Sequence, residues 1–302
     1  MIRKKFRRWI NKSLQDKVFD ALLVIICFGV IFITLYPMLN VLAISLNDSM
    51  DTMRGGINLI PRIFSTFAYE SIFKQNYFLQ AVTMSVLRTA VGVGTSVPTM
   101  VMVAYVISRK EYVLRGITTR LMVYTMYISA GIIPVFFLMR TLHLTNTFWV
   151  YIIPPLAQAY FIIITRTYIL SLPNSIMESA KLDGADHFTI IFKIIFPLVK
   201  PVIATLVLFV AVQQWNNWYD TFLYNSSSQD LSTLQYELKK MLAAATIKGD
   251  ASSMAGTENT NFLTPVSIRA AMTVIVSVPI MAIYPFLQKY FVGGLVVGGV
   301  KE

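Results

Sequence analysis

The chain is built from long stretches that are hydrophobic on every side, and these decide what it can fold into. Val18–Leu46 carries one charged residue, Asp20. A helix that is apolar all round has no face to offer water, so it belongs in a bundle core or in lipid. About 20 such residues cross the hydrocarbon layer of a bilayer. Six segments reach or approach that length: 18–46, 78–107, 117–139, 149–170, 198–223 and 268–292. Residues 18–302 are therefore expected to form a single transmembrane domain behind a basic stretch, 1–17. The fold class is an all-α polytopic membrane protein with six transmembrane helices.

Composition excludes the soluble alternatives. The chain is 56% hydrophobic and 14% charged, with mean hydropathy +0.62, far from a water-soluble domain. A lone cysteine, Cys27, rules out a disulfide framework or a thiolate metal site. The first apolar run is much longer than the ~7–15 residues of a signal-peptide core and no small-residue cleavage site follows it, so it reads as a retained span.

The net charge of +11 reflects membrane topology. Arg3, Lys4, Lys5, Arg7, Arg8, Lys12 and Lys17 precede the first run, and Arg109, Lys110, Arg115 and Arg120 cluster between the second and third. This is the positive-inside pattern, reinforced by anionic lipid of the inner leaflet. It lacks the interleaved aromatics of a nucleic-acid surface, and no nucleic-acid partner is expected. Both termini, 108–116 and 171–197 fall in the cytoplasm of a multi-pass plasma-membrane protein. Segments 47–77, 140–148 and 224–267 fall outside, where Asp48, Asp51 and Glu70 dilute the basic residues. In 224–267, Ser232 with Gln235 suggests a capping box, and Leu234, Leu238, Met241 and Leu242 share a helical face. That helix could rest on its own bundle or the membrane surface, or receive an external partner.

The loop 171–197 carries the most specific signal. Ser175 and Glu178 form a capping-box pattern, predicting a helix from Ile176 to about Leu182. Asp183-Gly184 supplies the turn, with Gly184 suited to the left-handed position after a helix. A second helix is predicted from His187 to Ile195, ended by Pro197 because the residue before proline resists the α region. Ala180, Gly184 and Ala185 at the bend would let another backbone approach. Phe188, Ile191, Phe192 and Ile195 would offer apolar surface to the bundle or a partner. A plain connector between two spans is the alternative.

The pattern Glu178-x-Ala180-x-x-Asp183-Gly184-Ala185, with Ile194 and Pro197 downstream, resembles the "EAA" loop of permease subunits of binding-protein-dependent ABC importers. It departs at Ser179, where alanine is usual, and at Phe196, where leucine is usual; both keep the size or polarity of the site. Ala104-Tyr105-x-Ile107-Ser108-Arg109, Trp215-Asn216 and the terminal Gly293-Gly294-Leu295-x-x-Gly298-Gly299-Val300-Lys301 are similar to the carbohydrate subgroup related to maltose permeases.

The resemblance implies an ABC type I importer permease fold in which this hairpin is the coupling helix. Glu178, Ala180, Asp183, Gly184, Ala185, Ile194 and Pro197 would engage a separate ATPase subunit dimer. The implied partners are a homologous second permease subunit, that ATPase, an extracellular solute-binding protein and membrane lipid. ATP and Mg would be used by the ATPase, with no cofactor or metal held here; this chain has no phosphate-binding loop of the Walker type. It is therefore expected not to be an enzyme, and His143 and His187 are assigned no chemistry. The implied cargo is a sugar or oligosaccharide. Gln214, Trp215, Asn216, Asn217, Trp218 and Tyr219 offer amides and aromatic faces suited to a sugar path, although such residues also gather at membrane interfaces and between helices. An ion-coupled secondary transporter is the alternative. It would need ionisable groups inside the membrane, whereas Asp20, Arg88, Arg166 and Asp220 are expected near span ends.

Overall fold

The computed structural model describes residues 13–248 and 264–294. The basic cluster Arg3–Lys12, most of the polar stretch of the 224–267 segment and the tail from Leu295 lie outside the described residues. Among the described residues every regular element is helical, apart from an isolated bridge between Asn47 and Phe64. The chain divides into two compact units, residues 1–72 with 251–274 and residues 73–250 with 275–302.

In the first unit, α1 (Leu14–Ser45) begins where the Ser13 hydroxyl accepts the Asp16 N–H at 3.2 Å. The short α2 (Ser49–Met53) is capped by Asp48, whose carboxylate accepts from Met50 and Asp51 N–H. The loop beyond it is organised by buried Asn47, which accepts from the backbone N–H of Arg62 and Ile63 and donates to Asp51. Arg62 Nε meets Asp51 at 2.9 Å. Thus two of the acidic residues read as charge dilution also cap and brace this loop. Helix α3 (Phe67–Phe73) follows.

The second unit is organised around α4 (Asn76–Ser108). Its buried residues Ala81, Ser85, Arg88, Ser96, Met100 and Ala104 recur at intervals of three, four and eight residues, the stripe of a helix packed along its length. Against it lie α7 (Ala159–Ser171) and α10 (Lys200–Asn216). Helices α5 (Arg115–Tyr127) and α6 (Ile132–Thr141) stand between α4 and α7 in sequence. Helix α8 (Asn174–Leu182) and α9 (His187–Leu198) form the hairpin between α7 and α10. Helices α11 (Tyr219–Tyr224), α12 (Leu234–Lys248) and α13 (Pro265–Gly294) complete the order; α13 contributes residues through Val274 to the first unit and from Ile275 to the second.

Among the described residues three helices are long and apolar enough to cross a membrane: Gln15–Ser45, Tyr77–Ser108 and Pro265–Ile283. Helices α9 and α10 would add a fourth span across an 82° bend. The segment 117–139, expected as one span, is instead α5 and α6, divided at Gly131, which takes φ +83°. The segment 149–170 is a 3₁₀ turn, Phe148–Tyr151, then an irregular stretch through Pro154-Pro155 before α7. Proline removes the backbone donor a helix needs there, which hydropathy alone does not register.

Candidate functional site

Helix α8 starts at Asn174, two residues earlier than its capping pattern suggests. Pro173 occupies the cap position at φ −58°, no side chain caps the helix, and Ser175 lies within it. The Ser175–Glu178 capping box is therefore not formed, and Glu178 is free to project outward, exposed. The far end matches expectation closely. Gly184 takes φ +78° and its N–H donates to Lys181 O, while Ala185 N–H donates back to Ala180 O at 2.9 Å. These two bonds satisfy the last carbonyls of α8 in a Schellman closure. Asp186 then opens α9, its carboxylate accepting the Thr189 N–H at 3.0 Å; these bonds hold the Asp186 carboxyl below its ordinary range.

The predicted stop at Pro197 is overturned. Ile190–Ile195 widens into a π-helix, and the chain continues helically through Phe196 (φ −53°, ψ −46°) and Pro197 to Leu198. A π turn shifts the hydrogen-bond register, which accommodates a proline that cannot donate. The bend falls instead at Val199, φ −93° and ψ 15°.

The hairpin has two unlike faces. Met177, Ala180, Ile190, Ile191 and Ile195 are buried in one cluster with Val101, Ala104, Ile107, Ile169 and Val202. Ala180 was expected to admit a partner at the bend; at 8% exposure it packs inward instead. Ala185 and Ile194 also pack against that cluster. The outer face shows Glu178, Asp183, Gly184 and Pro197, with Leu182 at 89% and Phe188 at 69% exposure.

Polar contacts clamp this hairpin to the end of α4. The Tyr105 hydroxyl and His187 Nδ1 share a hydrogen bond at 3.0 Å. The Arg109 guanidinium lies over the Tyr105 ring and contacts Met177 Sδ. Lys181 Nζ reaches Glu111 Oε1 at 2.5 Å, which holds the Glu111 carboxyl down to about 2. The sequence reading used His187 only as the start of a helix and did not single out Glu111, because neither stands in a recognisable spacing.

The proposed sugar-path residues separate by environment. Gln214 and Trp215 are buried, with Trp215 Nε1 donating to Val276 O at 2.9 Å. Asn217 accepts the Tyr219 N–H and donates to Asp220 Oδ2, so it shapes the turn into α11. Asn216 and Tyr219 are exposed, Trp218 is half-buried, and exposed Gln213 accepts from Gln158 at 3.0 Å.

Arg88 does not lie at a span end as expected. It is 1% exposed, and all five of its N–H groups are used, by Gln214 Oε1 twice, Asn217 O once and Asp220 twice. Its guanidinium carbon sits 4.2 Å from the Tyr151 ring centre. The available signal was an arginine well inside one apolar run and an aspartate in another. A guanidinium with every donor committed is a structural brace. The helix in 224–267 likewise packs on its own unit: Leu234 and Leu238 are buried, Leu234 N–H donates to Ser85, and Ser232 bonds Glu237 in place of Gln235.

The family model described as "Binding-protein-dependent transport system inner membrane component" matches residues 64–297. The chain belongs to this family. Protein LplC of Bacillus subtilis (strain 168) is 32% identical over 293 residues, covering 97% of this chain and 98% of that one. The polygalacturonan/rhamnogalacturonan transport system permease protein YtcP of the same organism is 31% identical over 288 residues, covering 95% and 100%. Among solved structures, a chain of a bacterial ABC transporter involved in the import of the acidic polysaccharide alginate superposes with TM-score 0.83 at 26% identity, covering 93% of this chain and 99% of that chain. The resemblance in the loop at 178–197 thus extends to the whole chain: this is a permease subunit of the binding-protein-dependent ABC importers.

Proposed function

We propose that this permease imports an oligosaccharide delivered by an extracellular binding protein, and that α8 and α9 couple it to a separate ATPase. One observation carries the reading: the hairpin is locked into the bundle on one face and presents Leu182 and Phe188 to the outside on the other. Exposed large apolar groups at a rigid tip suit insertion into a cleft on another protein. Glu178, Asp183 and Gly184 flank the contact, whereas Ala180, Ala185 and Ile194 hold its shape from behind. Pro197 is carried in α9 just before the bend.

The saccharide class follows from the relatives named for pectic and alginate polysaccharides. Asn216, Trp218 and Tyr219, joined by Gln213, would meet the sugar; Gln214, Trp215 and Asn217 would frame them. Six crossings with both termini cytoplasmic, a second permease and ATP with Mg on the ATPase dimer complete the proposal. The outward segments 47–77 and 224–267 would face the binding protein.

The test is purification from detergent of wild type and Gly184→Arg, with mass spectrometry of what accompanies each. A Cβ at Gly184 meets nothing within 4 Å, so the arginine adds bulk and charge on the outer face, and the strain it brings at φ +78° falls on the turn between α8 and α9. Wild type should bring down an ATPase and a second permease, and the variant should lose the ATPase while keeping the permease. Wild type that emerges alone and moves substrate in vesicles without ATP would overturn the reading.

A further inference from the structure

A cavity of about 170 Å³ opens beside the hairpin, lined by Arg109, Lys110 and Arg115 together with Asn174, Glu178 and Lys181. That volume holds several water molecules, and so a tetrahedral phosphate. Four cations, counting Lys181, and two carboxylates, Glu111 and Glu178, surround it. Lys181 and Glu111 neutralise each other. Among the described residues, Arg109, Lys110 and Arg115 make no ion pair.

Arg109 is the unusual member. It is half-buried, and besides the Tyr105 ring its side chain meets the Ser108 hydroxyl and the Met177 thioether, none of them an anion. A guanidinium withdrawn from water is stable when it meets an anion. The nearby Glu111 acts on Arg109 electrostatically but is hydrogen-bonded to Lys181, so among the described residues Arg109 has no carboxylate of its own within ion-pair distance. The cavity also lies where α4 ends, α5 begins and α7 ends, at Ser108, Arg115 and Ser171. On the topology proposed above, that is the level of the cytoplasmic headgroups. Basic pockets between transmembrane helices at this level bind the headgroups of anionic lipids.

We propose that this cavity is a binding site for a phosphate-bearing anion, occupied by the headgroup of an anionic lipid. Arg109 holds the phosphate from the inner wall, and Lys110 and Arg115 close on it from the solvent side. Because Met177, Glu178 and Lys181 of α8 also line the cavity, the lipid also steadies the hairpin. The membrane level rests on the proposed topology; the anion site rests on the cavity alone.

The experiment uses the full chain, stripped of lipid in detergent and returned to nanodiscs of phosphatidylcholine, with and without phosphatidylglycerol. Thermal unfolding and native mass spectrometry of retained lipid are the readouts. Wild type should retain phosphatidylglycerol and unfold at higher temperature with it. Lys110→Gln combined with Arg115→Gln, both changes on the accessible wall, should lower the affinity about thirty-fold, for about one surface charge interaction each. Arg109→Gln should do at least as much, but the double variant decides if that one does not fold. Inorganic phosphate added to phosphatidylcholine discs distinguishes sources: protection at millimolar concentration would support the anion site with free phosphate as occupant. Equal behaviour of wild type in both lipids, with no effect of phosphate, would overturn the proposal. So would a double variant that keeps its phosphatidylglycerol preference but loses the ATPase on purification, which would give the cavity to an acidic group of that subunit. None of these readouts needs ATP or transport, so failure of the importer reading would appear separately, in the co-purification.

Discussion

Arg88 and Asp220 meet as a two-point ion pair, Nη2 to Oδ2 at 2.6 Å and Nη1 to Oδ1 at 3.0 Å, with the arginine wholly inside the bundle. The pair joins α4 to the start of α11, and Gln214 extends the link to Tyr151, whose carbonyl accepts its amide at 2.9 Å. Removing one partner of a buried pair strands the other charge, typically at ~3–5 kcal/mol. Arg88→Met and Asp220→Leu should each lower thermal stability in detergent by about that much. The double variant should lie closer to wild type than the sum of the singles. Strictly additive losses would show that the two residues act independently.

The same network limits what α4 can carry at Gly92. A Cβ there would lie 2.7 Å from Gln214 Nε2 and 2.9 Å from its Cδ, and Gln214 is held at both ends by Arg88 and Tyr151. Gly92→Ala should therefore destabilise by ~1–3 kcal/mol, as overpacking does. Two residues on, a Cβ at Gly94 meets nothing within 4 Å. Gly94→Ala should be neutral or stabilising by up to ~1 kcal/mol, because it restricts the unfolded chain. Equal effects of the two substitutions in thermal unfolding would refute the close approach.

Some of this was legible in the sequence and some was hidden for definite reasons. The turn at Asp183-Gly184 was readable because a left-handed position has few chemical solutions. The end of α9 was misread because proline's effect depends on the hydrogen-bond register before it, and the π turn at Ile190–Ile195 changes that register. The division of 117–139 was missed because a hydropathy window averages over one glycine. The Arg88–Asp220 pair spans 132 residues of sequence, and no local pattern encodes a contact at that separation. In α10, Gln214 and Asn216 are chemically alike, and only the packing decides which is buried.

Glu111 offers a titration that reads the hairpin directly. The hydrogen bond from Lys181 is the main reason its carboxyl falls from 4.5 to about 2. A carboxyl depressed in the folded state contributes stability that is complete above its unfolded value and fades as pH falls through its folded value. The Lys181 bridge should thus persist at pH 4.5 and be lost toward pH 2. Both groups are well exposed, so the effect on global stability is small. Carboxylate NMR should find the midpoint near 2, and Lys181→Met should raise it toward 4.5. An unchanged midpoint in that variant would assign the shift to another cause.

His143 was given no chemistry, and it takes a structural position. It sits just after α6 at φ 54°, with its N–H on Arg140 O and Leu144 N–H on Met139 O. Histidine in this left-handed region is strained by ~1–2 kcal/mol, more than glycine loses in chain entropy. His143→Gly should stabilise the protein by up to ~1 kcal/mol in thermal unfolding. A loss of stability would mean that the imidazole makes a contact worth more than the strain.

The bond between Tyr105 and His187 connects α4 to the moving part of the proposed machine. Tyr105 is buried in the same cluster as Met177, Ala180 and Ile190, so its ring stays fixed while its hydroxyl reaches His187 at the start of α9. Tyr105→Phe keeps the ring and deletes that contact, which is worth ~0.5–1.5 kcal/mol. Global stability should fall by about that amount or less, while amide exchange in 187–198 speeds up and exchange in the middle of α4 does not. On the coupling proposed above, a hairpin tied less firmly to α4 would transmit ATPase closure less completely, so ATP hydrolysed per substrate imported should rise. His187→Ala should do the same, and combining the two changes should add little. If both variants retain wild-type exchange and stoichiometry, the hydrogen bond is incidental, and the packing of Ile190, Ile191 and Ile195 alone holds the hairpin to the bundle.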